Sequence, residues 1–329
     1  MDFVRNKPLT LVLSEGEDRR VIGAASDIVN TSLAKSVVLV GNAEKIKDTA
    51  KEINANLNGV DIIDPEENKY QKQFAEKLVE LSPKEYNEDN SVEAVKERLM
   101  FGTLYLEAGL ADIHVAGAVE TSANVIKTSY HIIKTNRKEG VMTSFFLMNN
   151  PTTTDHGDGV SLFSDCAVNI SPSPKFLAKI ALQVGNIAKN IFNIEPKLAL
   201  LTYSTKGSGS GDPVDHIIET GKELDKLKPE FMYEVEMQID AALDPEISSR
   251  KAPGNKLNGE ANVLIFPNLE SGNIGYKLVE NFSNTTAYGP ILVGLRKTVS
   301  DLSRGCTREA IVGTYGVAAY YHLKKQLNK

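Results

Sequence analysis

Short apolar runs alternate along this chain with stretches in which apolar residues recur every three or four positions, and the two periods predict different elements. Residues 9–13, Leu-Thr-Leu-Val-Leu, read as a buried strand, and Val21, Ile22, Ala25 and Ile28 then share one face of a helix over 18–30. Residues 36–40 form a second strand closed by Gly41-Asn42, and 43–53 the next helix. A short strand at 113–116 runs into Gly117, which lets the backbone turn at the carboxyl end of the strand, where open α/β sheets place their ligands. Further strands are expected at 141–148, 197–202 and 263–267, with helices over 175–192 and 307–327. The polar stretch 82–91 reads as an exposed loop or helix end. Alternation of this kind is the signature of an α/β fold with a largely parallel sheet. No short repeat, low-complexity tract or long flexible linker interrupts it.

A length of 329 residues suggests roughly two domains. The formal net charge of −6 argues against a duplex nucleic-acid surface, which needs a basic stripe, but leaves room for a local basic pocket that holds a small anion. Two cysteines, Cys166 and Cys306, are too few for a disulfide framework and fit a reducing compartment. The apolar run near the start is too short for a signal peptide, and no apolar stretch is long enough to span a bilayer. The expectation is a cytoplasmic protein without membrane or nucleic-acid partners.

Three loops could carry chemistry. Ser204-Thr205-Lys206-Gly207-Ser208-Gly209-Ser210-Gly211-Asp212 follows a strand, so its backbone N–H groups could converge on an anion beside Lys206; it could equally be a mobile surface turn. It is not a Walker A loop, because the glycine spacing is absent. Ser271-Gly272-Asn273-Ile274-Gly275-Tyr276 offers either close approach to a ligand or, the simpler reading, glycines that let a helix pack closely. In Asp301-Leu302-Ser303-Arg304-Gly305-Cys306-Thr307, Arg304 could clamp a phosphate or carboxylate and Ser303 could donate to an oxyanion. The alternative there is a helix-entry turn with a solvated arginine. Cys306 has no histidine near it in sequence and reads as a small apolar residue rather than a nucleophile. The histidines, His114, His131, His156, His216 and His322, show no metal-ligand spacing, and no Gly-x-Ser-x-Gly elbow supports a serine triad.

Taken together, Ser204-Thr205-Lys206-Gly207-Ser208, the run from Phe266-Pro267-Asn268 to Gly275-Tyr276-Lys277, and Asp301-Leu302-Ser303-Arg304-Gly305-Cys306 resemble the phosphate acetyltransferase family. Leu13-Ser14-Glu15-Gly16-Glu17-Asp18-Arg19-Arg20, Val115-Ala116-Gly117-Ala118, Ile132-Ile133-Lys134-Thr135 and Asp165-Cys166-Ala167 extend the likeness over nearly the whole chain. The resemblance implies two three-layer α/β domains of the isocitrate and isopropylmalate dehydrogenase-like fold with the active site in the cleft between them. It implies a discontinuous first domain, 1–136 plus 284–329, an inserted second domain, 137–283, and a homodimer. The implied reaction is reversible acetyl transfer between acetyl phosphate and coenzyme A, with no metal, no permanently bound cofactor and no acyl-enzyme. CoA, acetyl phosphate and phosphate are then the small-molecule partners. Ser303 matches the family's oxyanion-stabilising serine and Arg304 its phosphate-interacting arginine. Lys206, Gly207, Ser208, Gly272, Asn273 and Lys127 are the implied further contacts to phosphate or CoA.

Several positions depart from the family pattern. Ala310 stands where an aspartate usually takes the thiol proton, and Glu309 lies about 100° away around the helix. Asn281 and Lys127 stand where arginines are usual; lysine keeps the charge but loses the fork. Two alternatives stay in play: a phosphate butyryltransferase-like enzyme, since no residue here fixes the acyl size, and, on account of Ala310 and Asn281, a weakly active or non-catalytic paralogue that binds CoA or an acyl phosphate.

Overall fold

The computed structural model describes residues 2–136, 138, 140–151 and 159–328; His156 lies outside them. The strands among the described residues, in chain order, are β1 Leu9–Leu13, β2 Ala34–Val40, β3 Val60–Ile63, β4 Ile113–Val115, β5 Thr143–Asn149, β6 Val160–Ser164, β7 Lys197–Leu201, β8 Met232–Met237, β9 Val263–Ile265, β10 Thr286–Val293 and β11 Thr298–Ser300. Helices connect most of them. The chain divides into two compact units, Met1–Asn136 with Leu295–Lys329, and Arg137–Gly294.

In the first unit the strand order is β3-β2-β1-β4-β11, and every neighbouring pair is parallel. β1, β4 and β11 therefore end side by side at their carboxyl termini, with Leu13, Val115 and Ser300 in register. The Arg19–Asn30 helix buries Val21, Ile22, Ala25 and Ile28, the face that the periodicity predicts, and Asp18 caps it by accepting the Arg20 N–H. The last helix, Arg308–Leu327, returns against it and buries Ile311, Tyr315, Ala318 and Ala319.

In the second unit the order is β10-β5-β6-β9-β7-β8. Here the expectation of a largely parallel sheet meets an exception. β5 is antiparallel to both β10 and β6, and only β6, β9, β7 and β8 are parallel. The reason is connective: only about ten residues separate Asn149 from Val160, and a parallel pairing needs a crossover of about a dozen or more. β10 pairs with β5 along most of its length, so the chain leaves this unit after Gly294 rather than at 284. The Leu269–Phe282 helix packs Tyr276 on Phe146 of β5, with ring centroids 4.1 Å apart.

Candidate active site

The segment after β11 enters the last helix through a turn that the Cys306 N–H closes by donating to the Ser303 carbonyl at 2.9 Å. Ser303 Oγ accepts the Gly305 N–H at 3.3 Å, so the hydroxyl hydrogen stays available to an outside acceptor. Arg304 occupies the exposed corner, and among the described residues its guanidinium has no hydrogen bond and no ion pair. Thr307 caps the helix by accepting the Ala310 N–H at 3.2 Å. Ala310, at the third helical position, is buried, and its methyl group offers no proton acceptor. Cys306 is half-buried, and burial pushes its thiol up to about 11 against the pull of Arg20, which fits an inert thiol.

Beneath this turn lies a cluster that sequence spacing does not reveal. The buried carboxylate of Glu15, just past β1, collects four backbone N–H groups from the loop after β4: Gly117 at 3.1 Å, Ala118 at 2.7 Å, Val119 at 2.9 Å and Glu120 at 2.7 Å. This anion nest at the start of the Ser122–Ile132 helix thus holds the chain's own carboxylate. Gly117 has φ 106°, and a Cβ there would overlap Asp301 Oδ1 and approach Leu302 N at 2.6 Å, so the loop can close on the turn only with glycine at this position. Asp301 itself is fully buried, and among the described residues no donor meets either carboxyl oxygen in good hydrogen-bond geometry, although the Ser122 hydroxyl and Leu302 N–H lie close by. Burial pushes it up to about 7; the Ser122 hydroxyl and Leu302 N–H oppose this, and the nearby Glu15 carboxylate adds to it. Arg20 spans the group, donating to the Arg304 carbonyl at 2.7 Å and to the Ala118 carbonyl at 2.7 Å. Lys127 lies further along the helix after the nest, exposed and without a partner among the described residues.

The other expected site residues belong to the second unit. Asp165, past β6, repeats the Glu15 device: its carboxylate takes Ser144 Oγ at 2.5 Å and the N–H groups of Ala167, Val168 and Asn169 at 3.1, 3.2 and 2.9 Å. Gly272 packs against this loop so closely that a Cβ would overlap the Asp165 carbonyl, and Asn273 Nδ2 donates to the Cys166 carbonyl at 3.3 Å. Both therefore hold the helix after β9 against the exit of β6.

The loop after β7 departs from the expected phosphate cradle. Gly207 N–H and Ser204 Oγ both donate to Glu236 Oε1 at 2.6 Å, Ser208 Oγ accepts the Thr205 N–H at 2.9 Å, and Lys206 Nζ pairs with Glu234 at 2.5 Å. The anion that the loop encloses is Glu236, and Glu234 neutralises the lysine. Asn281, where the family pattern has arginine, donates to its own helix at the Lys277 carbonyl. Among the described residues no three His, Cys, Asp or Glu side chains converge as metal ligands.

Sequence comparison places these features among known proteins. A family model described as "Phosphate acetyl/butaryl transferase" matches residues 1–319. Phosphate acetyltransferase of Clostridium acetobutylicum is 39% identical over 308 residues, covering 93% of this chain and 92% of the relative. That of Bacillus subtilis is 38% identical over 310 residues, covering 94% and 93%. The crystal structure of a phosphotransacetylase from Streptococcus pyogenes superposes with a TM-score of 0.86 at 34% identity, covering 98% of this chain and 96% of the other.

Proposed function

The chain belongs to the phosphate acetyl/butyryl transferase family, and from that premise we propose that it catalyses reversible acetyl transfer between acetyl phosphate and coenzyme A. One observation carries the reading: the turn after β11 presents a serine hydroxyl with a free hydrogen beside an arginine whose guanidinium has no partner among the described residues. The CoA thiolate attacks the acetyl carbonyl carbon; the C–S bond forms, the carbonyl carbon–oxygen bond to phosphate breaks, and phosphate departs with that electron pair. Phosphate is a stable anion, so the departure calls for positive charge more than for an acid. Arg304 supplies it through a bidentate fork, and Ser303 donates to the tetrahedral oxyanion. Lys127 is the reading's exposed cation for a CoA phosphate.

The thiol proton goes to solvent rather than to a side chain at position 310. At pH 7 ionising a free thiol costs only about 2 kcal/mol, so the lost carboxylate costs on the order of 10²-fold in rate and leaves turnover intact. The reaction uses CoA as a substrate, not as a resident cofactor. We also read the protein as a cytoplasmic homodimer. Two free thiols suit a reducing compartment, and Ile274, Leu278 and Phe282 form an exposed apolar stripe on one helix that suits a second copy.

The test is thioester formation from acetyl phosphate and CoA, for the native protein beside Ala310→Asp. Native turnover that rises with pH as the thiol ionises, and an Ala310→Asp rate about 10²-fold higher at pH 7, is the expected result. A native protein that binds CoA by calorimetry yet forms no thioester at any pH overturns the catalytic reading.

A further inference from the structure

Arg20 brings a positive charge next to the turn, and charge alone would make it a second ligand for phosphate. Its hydrogen bonds argue against that. A guanidinium has five N–H groups, and each of the five has an acceptor inside the first unit. Nε donates to Asp18 Oδ1 at 3.0 Å, and Nη2 donates to Asp18 Oδ2 at 2.8 Å and to the Ala118 carbonyl at 2.7 Å. Nη1 donates to the Arg304 carbonyl at 2.7 Å and to the Cys306 carbonyl at 3.0 Å. No donor remains for a substrate. The acceptors come from three strand exits: Asp18 follows β1, Ala118 follows β4, and Arg304 and Cys306 follow β11.

We propose that Arg20 is the positioning residue of the catalytic turn, fixing the two carbonyls from which the directions of the Ser303 hydroxyl and the Arg304 guanidinium follow. The inference rests on the reading of Ser303 and Arg304 as the acyl-phosphate machinery. The turn's own bonds, from Cys306 N–H to the Ser303 carbonyl and from Gly305 N–H to Ser303 Oγ, close it without aiming it. Arg304 and Gly305 are exposed, so packing does not aim it either. Asp18 locks the fork from behind. Its partial burial works against ionisation, but the Arg20 side chain and backbone N–H hold its carboxyl below the usual carboxylate range. Lysine cannot replace this fork, because three donors on one nitrogen cannot reach acceptors in three directions. A displacement of about 1 Å in reacting groups costs on the order of 10²-fold in rate.

The experiment pairs kinetics with a readout of the turn that needs no turnover. Arg20→Ala and Arg20→Lys are each made alone and combined with Arg304→Ala, with folding checked by thermal melting. Each is also labelled at Cys306 with a thiol-disulfide reagent; Cys166 is buried and stays slow. Expected is a kcat loss of about 10²-fold in both single variants, with KM for CoA little changed. In the Arg304→Ala background the same change should cost no more than about tenfold, because one of the two groups being aimed is already gone and only the Ser303 hydroxyl remains to be misplaced. Cys306 should label about tenfold faster once the turn is released. Additive losses, an Arg20→Lys variant near native activity, or unchanged Cys306 labelling overturns the proposal. If Arg20→Ala does not fold, Arg20→Lys carries the same cycle and labelling. Should the native protein form no thioester, the functional reading fails, while the labelling rates still decide whether Arg20 holds the turn.

Discussion

Inside the first unit, two fully buried ionisable groups respond to pH in opposite senses. His114 has Ser14 Oγ 2.5 Å from Nε2 and Thr103 Oγ1 3.5 Å from Nδ1, and burial pushes it down to about 3. Between about 3 and 6.5 the unfolded chain binds a proton that the folded one refuses, so this group makes stability rise with pH. Asp301, pushed up to about 7 by burial, does the reverse. From about 4 to 7 the folded state keeps a proton that the unfolded chain releases, and stability falls with pH. Each effect is on the order of 4 kcal/mol and each masks the other across the shared window. Thermal melts from pH 4 to 8 should therefore separate them. Relative to the native protein, His114→Gln should lose stability steadily as pH rises to 7, and Asp301→Asn should gain it. Two variant curves running parallel to the native one would refute the assignment. Of the groups at this site, Ser303 and Arg304 are legible in the sequence, because turn, serine, arginine and helix start lie within one short run. Arg20, Glu15 and Asp301 are not. Arg20 and Glu15 meet backbone carbonyls and N–H groups about a hundred or more residues away, and peptide groups carry no sequence signature.

Among the elements, apolar runs disclose several buried strands but not β6, β10 or β11, whose serine, threonine, glycine and proline break the run although most of their residues are buried. β1, β4, β7 and β9 lie inside their sheets, so their sequences are nearly continuous in Leu, Val and Ile. β3 and β8 sit at sheet edges, half exposed and carrying Asp61, Glu234 and Glu236, and their runs are too mixed to stand out. The Leu269–Phe282 helix shows what the glycines of its motif do. Gly272 meets backbone, the Asp165 carbonyl, with Cys166 Sγ 3.1 Å from where a Cβ would lie, whereas Gly275 faces only the edge of the Phe266 ring, at 2.9 Å. A ring can tilt and a strand end cannot. Gly272→Ala should cost about 1–3 kcal/mol through overpacking, more than the helix-propensity gain of up to about 1 kcal/mol that alanine brings. Gly275→Ala should come out near neutral. Urea unfolding of the two variants checks this, and equal destabilisation would remove the packing argument for Gly272.

At the scale of the whole molecule, the open question is what covers the outer face of that same helix. Ile274, Leu278 and Phe282 recur every four residues, so they form one stripe, and Phe282 is 86% exposed at the helix end. Burying three such side chains is worth about 1.5–3 kcal/mol each, and in a two-fold interface every residue counts twice. The stripe alone can therefore supply a large share of a stable dimer's binding energy, with the rest of a standard interface around it. A charge at its centre reverses the sign, because Leu278→Glu would bury two like carboxylates across the two-fold axis. Sedimentation equilibrium should show twice the chain mass for the native protein and the single chain mass for Leu278→Glu. Arg20 and the turn's own N–H groups hold the Ser303–Cys306 turn from within the first unit, so the monomeric variant should keep slow Cys306 labelling. A native protein that sediments as a single chain, or a Leu278→Glu variant that remains double, would move the interface off this helix.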